Sequence, residues 1–154
     1  MVNILIAMCQ WMQNSSTGFG TFLGFYDEDD EYGSQGQGPF LDVAPEDTQF
    51  PYVVYNILDT GMDQGFFTSN TIVVEKPWIR FHLFDVDSVN LSQNLDYFVS
   101  KLDNLTGLSY AGESCRKLIR IENPVILDSI EFSENGQRVF HAIVSYQIRN
   151  QRAL

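Results

Sequence analysis

Three side chains in this sequence have the chemistry of a nucleophile, a base or a metal ligand: His82, His141 and Cys115. Imidazoles titrate near neutrality and bind transition metals through a neutral nitrogen. A thiolate attacks electrophiles and holds zinc. A working site needs such groups at a spacing that aims them together. Neither C-x-x-C nor H-x-x-x-H occurs, and Cys9, the second of the two cysteines, stands apart from Cys115. Each histidine falls on the polar side of an alternating strand pattern. The plainer reading is two strand histidines and a small buried or turn thiol, so catalytic and metal roles are assigned to none of them.

Two other stretches invite a chemical reading. Asp27, Glu28, Asp29, Asp30 and Glu31 are five consecutive carboxylates. A calcium loop alternates its ligands and closes on a Glu at a fixed distance, and this run does neither. Gly33, Gly36 and Gly38 follow it, but a phosphate cradle needs its glycines at a helix start, usually with a lysine. Asp85 and Asp87 of "DVD" close a strand just before a helix, which suits Asp87 as a cap. No hydrolase or metalloprotease motif appears. The expectation is a protein that is not an enzyme and has no cofactor.

Residues so placed need elements to hold them, and the composition permits those elements. The chain has 154 residues, 44% of them hydrophobic and 14% aromatic, enough for one domain with a real core. Its formal charge is −11. Such a chain repels DNA and anionic membranes, so neither specific nucleic-acid binding nor membrane binding is expected. Two unclustered cysteines suit a reducing cytosol. The N-terminal "MVNILIAMCQWM" lacks a basic leader and a cleavage site and reads as a buried helix. No apolar run approaches the roughly 18 residues of a membrane span.

Hydrophobic periodicity orders the elements. Residues 2–13 suit a helix with Leu5, Ile6, Cys9 and Met12 on one stripe. "TFLGFY" is a short strand. Residues 27–39 combine acid and glycine with no aliphatic residue and read as a flexible loop. "FPYVVYNILD", apolar on alternating faces, reads as a central strand. Residues 71–87 read as a strand in which Ile79, Phe81 and Leu83 oppose Arg80 and His82, with Pro77 marking a bend or an edge. Leu91, Leu95, Phe98, Leu102 and Leu105 predict an amphipathic helix over 88–105, capped by Asp87 or Ser88 and ended by Gly107. "RKLIRIE", "PVILDSIEF" and "RVFHAIVSYQIRN" read as strands, with Asn135-Gly136 in a hairpin turn. In the last strand Phe140, Ala142, Val144, Tyr146 and Ile148 share one face. His141, Ser145, Gln147 and Arg149 share the other.

The fold class that follows is α+β: an antiparallel sheet with two helices packed on one face, in a single domain spanning 1–154. The second face carries Tyr52, Val54, Trp78 and Phe84. That is too much apolar area to leave in water, and it suggests burial against another subunit. The loop "DTGMDQGFFTSNT" raises the same issue, because Phe66 and Phe67 stand side by side in a polar turn. Either one closes the edge of its own core, or they are aromatic anchors for a neighbouring protein.

The stretch "LDVAPEDTQFPYVVYNILD" resembles the tail-completion, or tail terminator, family of long-tailed bacteriophages, also described as tail-to-head joining proteins. That family commonly carries V-A-P followed by P-Y-V-V-Y, matched here by Val43, Ala44 and Pro45 and then Pro51, Tyr52, Val53, Val54 and Tyr55. A polar hairpin loop, a strand with an Asp-rich exit ("WIRFHLFDVD"), an amphipathic helix and a terminal strand ("RVFHAIVSYQIRN") follow in the same order. The order matches over roughly residues 2–150, while the loop 27–39 is longer than a compact member needs. The resemblance implies a virion protein assembled in the host cytoplasm. It implies a ring, typically a hexamer, at the head-proximal end of the tail, contacting the major tail tube protein and the head connector or stopper protein. Phe66, Phe67, Tyr52 and Trp78 would then face a subunit or partner, and Asp27 to Glu31 would repel DNA. Six copies would carry a formal charge of about −66. A neck or head-completion protein of related fold, or a small acidic enzyme or ligand-binding domain, are the alternatives.

Overall fold

A computed structural model describes residues 7–8, 10–12, 39–46, 48, 50–59, 72–75, 77–111, 113–127 and 136–153. The expected TFLGFY strand, the acidic loop, Cys9, Phe66 and Phe67 lie outside them.

The sheet is built around one long strand. In chain order the strands are β1 (Phe40–Leu41), β2 (Tyr52–Asp59), β3 (Ile72–Glu75), β4 (Trp78–Asp85), β5 (Leu108–Tyr110), β6 (Glu113–Arg120), β7 (Val125–Leu127) and β8 (Phe140–Ala153). The helix α1 (Ser88–Leu102) lies between β4 and β5. The spatial order is β1-β2-β4-β8-β6-β5, and β3 and β7 also pair with β8. All pairings are antiparallel except β1 with β2. The centre is therefore β8, with its 14 residues. The expected central strand, β2, sits one strand from the edge. It reads as central because Val53, Val54 and Tyr55 are all buried.

The run 71–87 divides into β3 and β4 without losing register. Glu75 pairs with Asn150 and Trp78 with Gln147, so both strands follow one alignment on β8. Between them Ile148 N–H donates to the Pro77 carbonyl at 2.9 Å. Proline has no N–H to return, so the ladder misses one bond there.

One face of the sheet is covered. Val53, Tyr55, Ile79, Phe81, Leu83, Ala142, Val144, Tyr146, Ile148 and Leu118 form a single core with Leu91, Leu95, Phe98 and Leu102 of α1. Ala7, Met8 and Met12, from the N-terminal helical residues, join the same cluster. Both helical segments thus pack on the sheet, and the fold is α+β. The ring of Phe81 meets Phe98 edge-on at 5.0 Å and Tyr146 at 6.2 Å.

The helix starts as its sequence requires and stops earlier. Asp87 Oδ1 accepts the N–H groups of Val89 at 2.8 Å and Asn90 at 3.1 Å, two donors that a helix start otherwise leaves without partners. At the other end Asn104 takes the left-handed conformation, φ 61°. This role, often filled by glycine, falls to Asn104 and ends the helix before Gly107. Leu105 lies past the helix and packs against the core from the loop. Its carbonyl accepts the N–H of Leu118 at 2.9 Å. No helix among the described residues is long and apolar enough to cross a membrane.

Candidate functional site

The face of the sheet opposite the helices carries both histidines. Alternation turns Trp78, Arg80, His82 and Phe84 of β4 away from the core. Register then sets their neighbours. Tyr52 is opposite Phe84 and Val54 is opposite His82. Across β8, Phe84 is opposite His141, His82 is opposite Ile143 and Arg80 is opposite Ser145. His82 and His141 are therefore diagonal neighbours, a separation that ring side chains bridge.

They do bridge it. His82 Nδ1 and His141 Nε2 lie 2.8 Å apart. His141 also stacks on Phe84 at 4.4 Å with only 10° between the planes, and Phe84 stacks on Tyr52 at 5.0 Å. Phe50 continues the row at 5.2 Å from Tyr52. Next to the pair, Arg80 Nε donates to Ser145 Oγ at 3.2 Å, and Ser145 is buried to 1% exposure.

Burial governs the protonation of this row. It lowers the pKa of His82 to about 4, helped by the neighbouring His141 and Arg80. His141 is lowered by burial as well. Both rings are thus neutral at pH 7. A neutral imidazole has one N–H and one bare nitrogen, so one ring donates to the other. The shared bond engages one nitrogen of each ring.

Cys115 does not join them. It sits in the core at 2% exposure, paired with Leu108 and Asn150. Asn150 is far down β8 from His141, roughly 30 Å at strand rise. Burial pushes the thiol up to about 11, leaving it protonated and a poor nucleophile at neutral pH. Of the three candidates, two meet and one is elsewhere. No group of three His, Cys, Asp or Glu able to hold a metal ion occurs among the described residues.

Two polar clusters were not anticipated from the sequence. Asp85 is buried at 4%. It accepts the N–H of Val86 at 2.7 Å, with Asp87 N–H at 3.3 Å, and burial raises its pKa. It shapes the turn that delivers Asp87 to the helix start, and the Asp-x-Asp spacing was the available signal. Tyr146, buried in the core, donates its hydroxyl to Asp103 at 2.9 Å, and Arg120 pairs with the other Asp103 oxygen at 3.3 Å. This links the end of α1 to β8 and β6. Burial and Asp103 together hold the Tyr146 hydroxyl protonated.

Of the expected interface residues, Tyr52 is half-buried in the ring row. Trp78 is 39% exposed at the start of β4. Phe66 and Phe67, with Asp27, Glu28, Asp29, Asp30 and Glu31, lie outside the described residues. Further apolar exposure appears at Leu41, Val43, Val125, Ile126 and Leu127.

No protein-family model matches this chain, and no curated protein matches it in sequence. In fold it is similar to a chain in the structure of the virion of a native gene transfer agent particle. The TM-score is 0.55 at 8% sequence identity, over 97% of this chain and 92% of the other. At that identity the likeness is one of fold.

Proposed function

We propose that this chain is a structural virion protein of a tailed phage or phage-like particle. It forms a ring, most simply of six copies, at the head-proximal end of the tail. There it stops growth of the tail tube and joins the tail to the head connector. The observation that carries this reading is the agreement of fold with a virion component along nearly the full length of both chains, 97% and 92%. The V-A-P and P-Y-V-V-Y segments support it from the sequence side.

In this reading the ring row is structural. His82 and His141 occupy each other and stack against Phe84, and the protein is not an enzyme. Trp78, Tyr52, Phe66 and Phe67 contact a neighbouring subunit, the tail tube protein or the connector. The carboxylates Asp27 to Glu31 keep DNA from adhering, since bound phosphate needs basic groups that release counterions. Electron cryomicroscopy of particles containing the protein tests this. The expected result is a closed ring at the tail–head junction. Absence from that junction, or isolated monomers there, would overturn it.

A further inference from the structure

The whole chain has two histidines, and the register of β4 on β8 brings both to one spot on the open face. His82 Nδ1 and His141 Nε2 lie 2.8 Å apart, with the ring centroids 5.0 Å apart. That is a hydrogen-bond distance. It is also the span of two neighbouring ligands on one metal ion. Metal–nitrogen bonds of about 2.0 Å meeting at a right angle hold their nitrogens roughly 2.8 Å apart, whereas the tetrahedral angle of zinc needs roughly 3.3 Å. Right-angle sets of nitrogen and oxygen ligands suit Cu(II) and Ni(II), and Cu(II) binds the more tightly of the two.

The pair is reachable from solvent and can turn toward an ion. Both rings are half-buried, on the face that the helices leave open. His82 Nε2 and His141 Nδ1 have no protein partner among the described residues. Each can therefore carry its ring's proton while the facing nitrogen binds a metal. In the hydrogen-bonded state the rings point at each other. To share an ion, both facing nitrogens must aim at one point above the sheet. His141 lies flat on Phe84 at 4.4 Å and is held there. His82 is 6.5 Å from Phe84 and is the freer ring, so it supplies most of the turn. The charge of Arg80 opposes a dication and weakens the site, while the bond from its Nε to Ser145 Oγ anchors the guanidinium. Cys115 is buried in the core and takes no part.

We propose that His82 and His141 form a two-histidine site for a tetragonal divalent ion, Cu(II) foremost. Water fills the remaining positions, since no third His, Cys, Asp or Glu joins the pair among the described residues. Uptake exchanges the shared hydrogen bond for two metal–nitrogen bonds. The proton between the rings moves through solvent to the outer nitrogen of the ring that donated it, and none is released. The ligands stand 59 residues apart in sequence and meet only in the folded chain. An ion held by both therefore stabilises the fold and ties β4 to β8. The site is independent of the ring reading, because assembly does not need it.

Titration of Cu(II) into the full chain, in a non-coordinating buffer near neutral pH, tests the site. Calorimetry should give a single tight ion per chain. Electron paramagnetic resonance should show a tetragonal signal split by a pair of nitrogens. His82→Gln and His141→Gln should each weaken binding by at least the roughly tenfold that losing even a ligand's supporting partner costs. Cu(II) should raise the melting temperature of the native chain and leave that of the double variant unchanged. Should a variant fail to fold, the native chain still decides the matter. Substoichiometric Cu(II) should broaden the ring signals of both histidines in nuclear magnetic resonance before any others. Tight binding that survives the double change, a signal from oxygen ligands alone, or histidine signals that stay sharp would overturn the site and leave only adventitious binding by carboxylates or thiols.

Discussion

Acidification between pH 7 and pH 5 should destabilise this protein through His82. Burial lowers its folded pKa to about 4, from an ordinary 6.5. In that window the unfolded chain takes up a proton that the folded chain refuses. Stability is therefore full above about pH 6.5, declines as pH falls, and levels off below about pH 4. Linkage alone gives a loss of about 2 kcal/mol between pH 7 and pH 5. His82 is only half-buried, so solvent screening reduces this to about 1 kcal/mol. For a chain of this size that is a fall in Tm of roughly 2–4 °C. His141 is shifted in the same direction and adds to it. Asp85 works in the opposite sense: its raised pKa favours the folded state as pH falls.

The assay is a set of thermal melts at pH 7, 6 and 5 on the native chain, His82→Gln, and the double variant with His141→Gln. Glutamine keeps a donor and an acceptor without titrating. Asp85 is common to all three chains, so its contribution cancels in the comparison. The difference between pH 7 and pH 5 should shrink in the single variant and shrink further in the double. Parallel pH profiles for all three would refute the buried neutral pair, whatever the absolute stabilities.

Asp87→Ala should cost about 1 kcal/mol by removing the cap on Val89 and Asn90, measured as a lower urea midpoint with an unchanged slope. Phe81→Ala empties a fully buried site between Phe98 and Tyr146. It should cost about 3–5 kcal/mol, and a loss under about 1 kcal/mol would mean the core is not packed as described. The Phe66→Ser, Phe67→Ser double variant should melt like the native chain yet fail to join tails to heads, since an aromatic hot spot is worth about 2 kcal/mol or more. Melting and an infectious-particle count in complementation decide it. Loss of fold would place these rings in the subunit's own core, and normal infectivity would make the loop a bystander.

Strands with one buried face were legible because alternation is a local property. The parity of Ile79, Phe81 and Leu83, and of Ala142 through Ile148, was readable residue by residue. So was the turn of Tyr52, Phe84 and Trp78 to the other face. Which strand lay at the centre was not, because Val53–Tyr55 is buried on both faces one strand from an edge. Burial on both faces reports covering, and covering comes from outside the strand. The short β1 and β5 carry too few residues for any period to show. The contact of His82 with His141 depends on the register between β4 and β8. Each histidine could be placed on the open face from its own strand, but their distance could not.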